Sequence, residues 1–87
     1  MVMPATTGVV GVVVNNRAEH AQEVQTVLTR HGNIITSRMG TPNRTKDKGF
    51  ITLAVEGDRA EIDSLTQELR AITGVQVSYS LIDERPE

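Results

Sequence analysis

The pattern of apolar and polar positions along the chain predicts four strands and two helices. Residues 9–14 and 50–56 are short runs that are apolar on both faces, which is typical of central strands. Residues 33–39 favour a strand by their β-branched content, and residues 75–81 alternate between apolar and polar, as a half-buried strand does. The predicted order of elements is βαββαβ.

Two helical segments lie between these strands, and each has a capping residue before it and a glycine after it. Helix one is predicted over residues 17–31, with Asn16 as its cap and Glu19 completing a capping box. Helix two begins after Asp58, which pairs in the same way with Glu61. Both helices carry apolar residues at helical spacing, so each is expected to pack one face on the sheet.

An internal repeat indicates how these elements are arranged. When the chain is shifted so that Asn16 meets Asp58, the two halves align in the roles of their residues. Two βαβ units with right-handed crossovers form the ferredoxin-like sandwich, an α+β fold with a four-stranded antiparallel sheet and both helices on one face. We expect strand order 4-1-3-2 and a single domain over residues 8–82, with tails at residues 1–7 and 83–87.

The same repeat assigns each strand residue to a face of the sheet. The residues expected against the helices are Val9, Val13, Ile35, Ile51, Leu53, Val55, Val77 and Tyr79. The residues expected on the open face are Val10, Val12, Val14, Phe50, Thr52 and Ala54, with Thr36, Arg38, Ser78 and Ser80 at its rim. Because monomers seldom leave such a surface in water, we expect it to be the interface of a dimer or tetramer, with burial under a tail or loop as the alternative.

Composition narrows the class of protein. A chain of 87 residues with a net charge of −2 is expected to fold as one domain. It has no cysteine, which excludes disulfides, thiolate-bound metals and cysteine nucleophiles. No apolar run approaches the length of about 18 residues that a membrane span needs, and the first residues lack a signal-peptide pattern, so a cytoplasmic protein without a membrane partner is expected.

The predicted loop after strand two concentrates positive charge. Its candidate ligand-binding residues are Arg38, Gly40, Pro42, Arg44, Lys46 and Lys48. Cations beside a glycine suit a phosphate or a carboxylate, although cationic side chains also keep a sheet edge soluble. Sheets of this topology that read RNA present aromatic residues, and only Phe50 qualifies here, so direct nucleic-acid binding is not expected.

The turn Asn15-Asn16-Arg17, between strand one and helix one, is a second candidate ligand site. Amides at a helix N-terminus favour a carboxylate and Arg17 can pair with one, while Asn16 as a simple cap explains the same residues. The turn superficially resembles an acylphosphatase cradle, but it is short and lacks glycine. No set of acid, base and nucleophile appears along the chain, so an enzyme is not expected.

The two histidines do not form a metal site in one subunit. His20 and His31 lie near the inward stripe of helix one, but roughly 16 Å of helix separates them, which is too far for one ion. His31 in the last turn suits the helix dipole, with a ligand built across subunits as the alternative. No metal or cofactor is expected.

Several segments resemble known regulatory domains. Residues 28–38, in which a helix ending in Gly32 runs into an apolar strand, look like the helix-to-strand passage of ACT-type domains. The motif Arg38-Met-Gly40-Thr-Pro42, with the strand after Phe50 and the segment Gly74-Val75-Gln-Val77, more closely resembles a small bacterial family of iron-only hydrogenase system regulators. That family is ACT-like and similar to the ligand-binding domain of nickel-responsive repressors. The resemblance implies self-association and a transcriptional or metabolic regulatory role without catalysis, with a small-molecule effector or a protein partner.

Overall fold

The elements of the fold follow the predicted order. A computed structural model describes residues 5–43 and 46–84. The elements are β1 Thr6–Asn15, α1 Arg17–Arg30, β2 Ile35–Asn43, β3 Lys48–Gly57, α2 Arg59–Arg70 and β4 Val75–Asp83. The strands form one antiparallel sheet in the order β2-β3-β1-β4, which is the predicted order. The predicted ferredoxin-like fold is therefore confirmed.

Both helices pack on one face of the sheet around a single core. Fully buried side chains come from β1, β3 and both helices, and they include Val10, Leu53, Leu28 and Leu65. Burying one such side chain stabilises the folded chain by about 1.5–3 kcal/mol. Within the described residues, every buried side-chain nitrogen and oxygen has a hydrogen-bond partner. Apolar burial therefore holds the helices to the sheet without the cost of unpaired polar groups.

The structure reverses the predicted faces of β1. Val10, Val12 and Val14 are at most 2% exposed and lie in the core under the helices. Val9, which was expected in the core, is 52% exposed on the opposite face. The prediction that the three valines line a subunit interface is therefore wrong. The predicted faces of β3 are correct, since its core residues are Leu53 and others of the same parity, whereas Phe50, Thr52 and Ala54 occupy the open face.

A one-residue difference between the two strand-to-helix connections causes this reversal. The last buried strand residue lies two positions before the cap in the first half (Val14 and Asn16) but three positions before it in the second (Val55 and Asp58). Asn16 has a left-handed backbone with φ of 51°, whereas Asp58 is extended with φ of −73°. Aligning the two helices therefore shifts β1 by one residue, and such a shift moves every side chain to the other face.

The predicted loop between strands two and three is mostly strand. β2 continues to Asn43 and β3 begins at Lys48, so that Gly40 pairs with Ile51 and Pro42 pairs with Gly49. β2 is an edge strand, and an edge tolerates proline and polar residues because one side of its backbone needs no partner. Local composition indicates a loop here, whereas pairing with β3 produces a strand.

The sheet also extends further than the predicted domain limits. Thr6 and Thr7 belong to β1 rather than to a tail, and the Thr6 hydroxyl donates a hydrogen bond to the Asp83 carboxylate over 2.8 Å. β4 reaches Asp83, one residue beyond the predicted limit. The other predicted tail residues, apart from Ala5 and Glu84, lie outside the described residues.

Candidate functional site

A cleft of about 200 Å³ opens between α1 and the paired strands β2 and β3, on the helix side of the sheet. Its lining residues include Arg17, Ala21, Val24 and Gln25 from α1 and Gly40 and Gly49 from the strands. A Cβ atom added at Gly40 would have no heavy atom within 4 Å, so the strand leaves this space open. Small residues on both walls, Ala21 of α1 and Gly40 of β2, therefore leave room for the cleft.

Arg38 adjoins one end of the cleft, through its hydrogen bond to the lining residue Gln25. Strand register pairs it with Leu53, which is fully buried, so Arg38 lies on the helix side of β2. Its guanidinium Nη2 donates a hydrogen bond to the Gln25 Oε1 atom of α1. The prediction that Arg38 lies at the rim of the open face is wrong, because an irregularity between Ile35 and Ser37 shifts the strand register.

Arg17 lies at the other end of the cleft. The aliphatic part of its side chain crosses Gly49, where an added Cβ would lie 3.2 Å from Arg17 Cδ. The glycine therefore allows the arginine to lie close against β3. Arg17 and Gln25 are separated by two i, i+4 steps on α1, which places the two ends of the cleft roughly 12 Å apart along the helix axis.

Neither of these arginines has a carboxylate partner among the described residues. Arg30 and Arg59 form ion pairs with acidic side chains, but no carboxylate oxygen of the described residues lies within 4.0 Å of Arg17 or Arg38. The only side-chain partner of Arg38 in this part of the chain is the neutral amide of Gln25. The cleft therefore has a cation at each end that is not neutralised by the residues described.

Asp47 already occupies the predicted ligand site at the turn Asn15–Arg17. Its carboxylate Oδ1 accepts a hydrogen bond from the Ala18 amide over 3.1 Å, and its carbonyl accepts one from the Arg17 amide over 2.8 Å. The Asn15 side chain donates to the Gly74 carbonyl instead of facing a ligand. A carboxylate of the same chain thus takes the position at the helix N-terminus that was predicted for a ligand.

Neither helix has the predicted capping box. The side chains of Asn16 and Asp58 make no capping hydrogen bond, although both residues occupy the cap positions. Their backbone carbonyls accept hydrogen bonds from the amides of Glu19 and Glu61. For α1 the left-handed backbone of Asn16 carries the chain directly from β1 into the helix, and Asp47 provides the capping carboxylate.

The structure does not bring the predicted basic residues together. Gly40 lines the cleft and Arg38 lies beside it on the helix side of β2, whereas Lys48 has the same strand parity as Phe50 and lies on the open-face side of β3. Lys46 is exposed in the turn, where its amide donates to the Asn43 side chain over 3.3 Å. The side chain of Pro42 and the whole of Arg44 lie outside the described residues. Among the basic residues that can be placed, the side chains therefore do not form a single binding site.

The two histidines make separate polar contacts. His20 is buried, with Nδ1 3.2 Å from Glu23 Oε1. His31 Nε2 lies 2.6 Å from Glu68 Oε2, and Arg30 binds the same carboxylate. The hydrogen bond with His31 lowers the pKa of Glu68 below its ordinary value of 4.5. Glu68 therefore connects the end of α1 to α2.

Two features are absent from residues 5–43 and 46–84. These residues contain no group of three or more histidine, aspartate or glutamate side chains that could hold a metal ion. Neither of their two helices has the length and apolar character needed to cross a membrane.

Three residues of the cleft are not among the predicted site residues, namely Ala21, Gln25 and Gly49. A signal for two of them exists, since Arg17, Ala21 and Gln25 follow i, i+4 spacing and therefore share one stripe of α1. No sequence signal links Asp47 to Ala18, because that contact depends on how the hairpin returns to the helix. Gly49 likewise has no sequence signal, since its role is to leave room for the Arg17 side chain.

Comparison with known proteins assigns the chain to a protein family. Residues 6–79 match the TM1266-like family, described as "Iron-only hydrogenase system regulator, putative". The chain belongs to this family. The uncharacterized protein TM1266 from Thermotoga maritima has a similar structure, with a TM-score of 0.85 and 25% identity over 91% of this chain and 99% of that one. The family predicted from the Arg-x-Gly-x-Pro motif is confirmed, and the predicted regulatory role agrees with the family description.

More distant solved structures share the fold alone. CPII, a nitrogen regulatory PII-like protein from Thiomonas intermedia K12 solved with ADP, AMP and bicarbonate, has a TM-score of 0.58 and 15% identity, covering 91% of this chain and 92% of that one. A formyltetrahydrofolate deformylase from Pseudomonas putida KT2440 has a TM-score of 0.60 and 15% identity, covering 85% of this chain and 28% of that one. No curated protein matches the chain.

Proposed function

We propose that this member of the TM1266-like family is a non-catalytic regulatory domain that acts as a homo-oligomer and responds to a small anionic effector. The family description supports a regulatory role. The α1 N-terminus does not favour a hydrolase, because an acylphosphatase-like cradle needs free amides and those of Arg17 and Ala18 are bonded to Asp47. The proposed function therefore depends on association of identical chains and on binding of the anionic effector.

The open face of the sheet is the observation that carries the proposal. Four large apolar side chains lie exposed on this face, namely Val9, Met39, Phe50 and Ile82. The central strands add small residues such as Gly11 and Ala54 to this face. Exposed apolar side chains on all four strands are characteristic of an interaction site, and one sheet face can pack against an identical sheet face. A second copy of the chain is therefore the proposed occupant.

Light scattering on the purified chain tests this association. Val9→Glu places a charge at the centre of the open face, where desolvation on association would cost several kcal/mol, so the mass should fall to the 9.5 kDa of the monomer. Gln67→Glu adds the same charge on the exposed side of α2 and should leave the oligomer intact. A monomeric wild type, or a Val9→Glu variant that stays associated, would contradict the proposal.

Anion binding is supported by a separate observation, the two arginines without carboxylate partners at the ends of the cleft. A ligand that binds only the folded state raises the melting temperature. Thermal unfolding in the presence of phosphate and of a series of small carboxylates should therefore show stabilisation by at least one anion. Unchanged melting temperatures with every anion at millimolar concentration would exclude this part of the proposal.

A further inference from the structure

We propose that the cleft between α1 and the β2–β3 pair binds a small dicarboxylate with an apolar middle, with one carboxylate at Arg17 and the other at Arg38. This inference rests on the anionic effector of the proposed function and names its site and chemical class. Three features of the cleft carry it: the charge at its two ends, the apolar character between them, and its volume.

The two ends of the cleft favour carboxylates. A guanidinium group presents a planar set of donors that matches a carboxylate in a bidentate arrangement. Arg38 now donates to the neutral amide of Gln25, and a charged acceptor would form a stronger hydrogen bond than this amide does. Asp47 lies near the Arg17 end, but its carboxylate is bonded to the Ala18 amide and forms no ion pair with the Arg17 guanidinium.

The middle of the cleft favours a carbon chain. Of the polar lining residues, Thr41 pairs with Phe50 and so has open-face parity, and Gln25 is bonded to Arg38. The walls between the two arginines are therefore formed by Val14, Ala21, Val24, Gly40 and Ile51. These residues offer no side-chain hydrogen bonds to the hydroxyl groups of a sugar. Binding a polar ligand here would leave such groups without partners, which is costly in a desolvated site. An unsubstituted chain between two carboxylates avoids that cost.

The size of the cleft restricts the ligand to a small metabolite. Its volume of about 200 Å³ is below the roughly 300–1,000 Å³ of pockets that enclose drug-sized molecules. The two ends lie roughly 12 Å apart along α1, which leaves room for a short carbon chain with a carboxylate–guanidinium contact at each end. A six-carbon diacid therefore suits the space better than a nucleotide does.

Nuclear magnetic resonance titration of the full chain tests the inference with three probes of equal chain length. Adipate carries two carboxylates, hexanoate carries one, and hexan-1-ol carries none. Adipate should bind most tightly and hexan-1-ol most weakly, and the shifts should concentrate on the amides of Ala21, Gln25, Gly40 and Gly49. Equal binding of adipate and hexan-1-ol, or adipate shifts located elsewhere, would overturn the proposed site.

Charge-removing variants locate the two carboxylates. Arg17→Gln and Arg38→Gln should each weaken adipate binding by about tenfold or more, because each removes a charged hydrogen-bond donor. Arg70→Gln is the matched control, since Arg70 is exposed on α2, stacks on the Tyr79 ring 5.4 Å away, and lies outside the cleft. A loss with Arg70→Gln equal to that with the cleft variants would indicate only a general effect of charge and would overturn the inference.

Filling the cleft gives a test that leaves the charges in place. Gly40→Val adds a side chain where an added Cβ meets no atom within 4 Å, so the chain should fold with unchanged or higher stability while adipate binding is lost. Retained adipate binding in Gly40→Val would show that the ligand lies elsewhere. Failure of this site is distinguishable from failure of the proposed function, because in the first case some anion still raises the melting temperature and in the second none does.

Discussion

The backbone amide of Ala18 donates a hydrogen bond to the carboxylate of Asp47 over 3.1 Å, which joins the first turn of α1 to the turn between β2 and β3. The Asp47 carbonyl also accepts a hydrogen bond from the Arg17 amide over 2.8 Å. Asp47 therefore supplies the capping side chain for the first turn of α1, a role that local sequence assigns to Asn16. The contact also holds the hairpin that carries Gly40 and Gly49 next to α1, and so helps to shape the cleft.

Asp47→Ala is expected to reduce the free energy of unfolding by about 1 kcal/mol or more. The variant loses a helix-capping carboxylate, and alanine tolerates the φ of 50° at this position less well than aspartate. Asp58→Ala is the control, since Asp58 occupies a cap position but makes no side-chain capping bond. Urea unfolding should show a smaller loss for Asp58→Ala, and equal losses would mean that the Asp47 contact contributes nothing specific.

Val12→Ala and Val9→Ala are expected to differ in their cost because the two residues lie on opposite faces of β1. Val12 is fully buried, so its truncation should lower the free energy of unfolding by about 2 kcal/mol. Val9 is 52% exposed, and its truncation should cost less than about 1 kcal/mol in the monomer. Urea unfolding at low protein concentration compares the two. A larger loss of unfolding free energy for Val9→Ala than for Val12→Ala would contradict the observed faces and support the assignment predicted from the repeat.

Sequence periodicity predicts the fold because the signals for it are local and redundant. Helical spacing in α2, alternation in β4 and the repeat between the two halves all lead to one topology. The faces of β1 have no such support, since Val9, Val10, Val12, Val13 and Val14 are apolar on both sides of the strand. The choice of face then depends on the backbone of one residue, Asn16, whose left-handed conformation is not encoded in any hydrophobic pattern.

The candidate site is less predictable because its residues come together only through tertiary packing. Arg17 and the Arg38-x-Gly40 motif stand out in the sequence. In the structure Arg17 and Gly40 line the cleft, and Arg38 adjoins it through Gln25. The register of β2, which directs Arg38 towards α1, depends on the irregularity after Ile35. Composition alone groups Arg38 with Lys46 and Lys48 instead, because positive charge is visible in a sequence whereas strand parity is not.

Acidification is expected to weaken the link between the two helices at Glu68. The pKa of Glu68 is lowered in the folded chain, chiefly by its hydrogen bond with His31, so the carboxylate stabilises the fold at pH values above its ordinary pKa of 4.5. That contribution should disappear as the pH falls through the lowered pKa, since the unfolded chain then binds the proton more readily.

Glu68→Gln tests this linkage through the pH dependence of stability. The variant should be less stable than the wild type at pH 7, and the difference between the two should shrink as the pH falls below about 4.5. Glu56→Gln is the control, because Glu56 is exposed and has no side-chain ion pair among the described residues. A difference between Glu68→Gln and wild type that stays constant with pH would contradict the role of the carboxylate charge.

Gly74→Ala is expected to be more costly than Gly32→Ala, although the two glycines occupy matching positions in the internal repeat. Gly74 has a φ of 82°, and an added Cβ would lie 3.2 Å from both the Asn15 carbonyl oxygen and His20 Cδ2. Left-handed backbone alone costs a non-glycine residue about 1–2 kcal/mol, and the crowding adds to it. At Gly32 the φ is not in the left-handed region and the nearest contact is an ordinary 3.4 Å.

Thermal unfolding of both variants should therefore show the larger drop in melting temperature for Gly74→Ala, with the His20 ring resonances shifted in that variant alone. Equal drops would mean that the turn before β4 relaxes freely, and that the hydrogen bonds from Asn15 to the Gly74 carbonyl do not hold it in place.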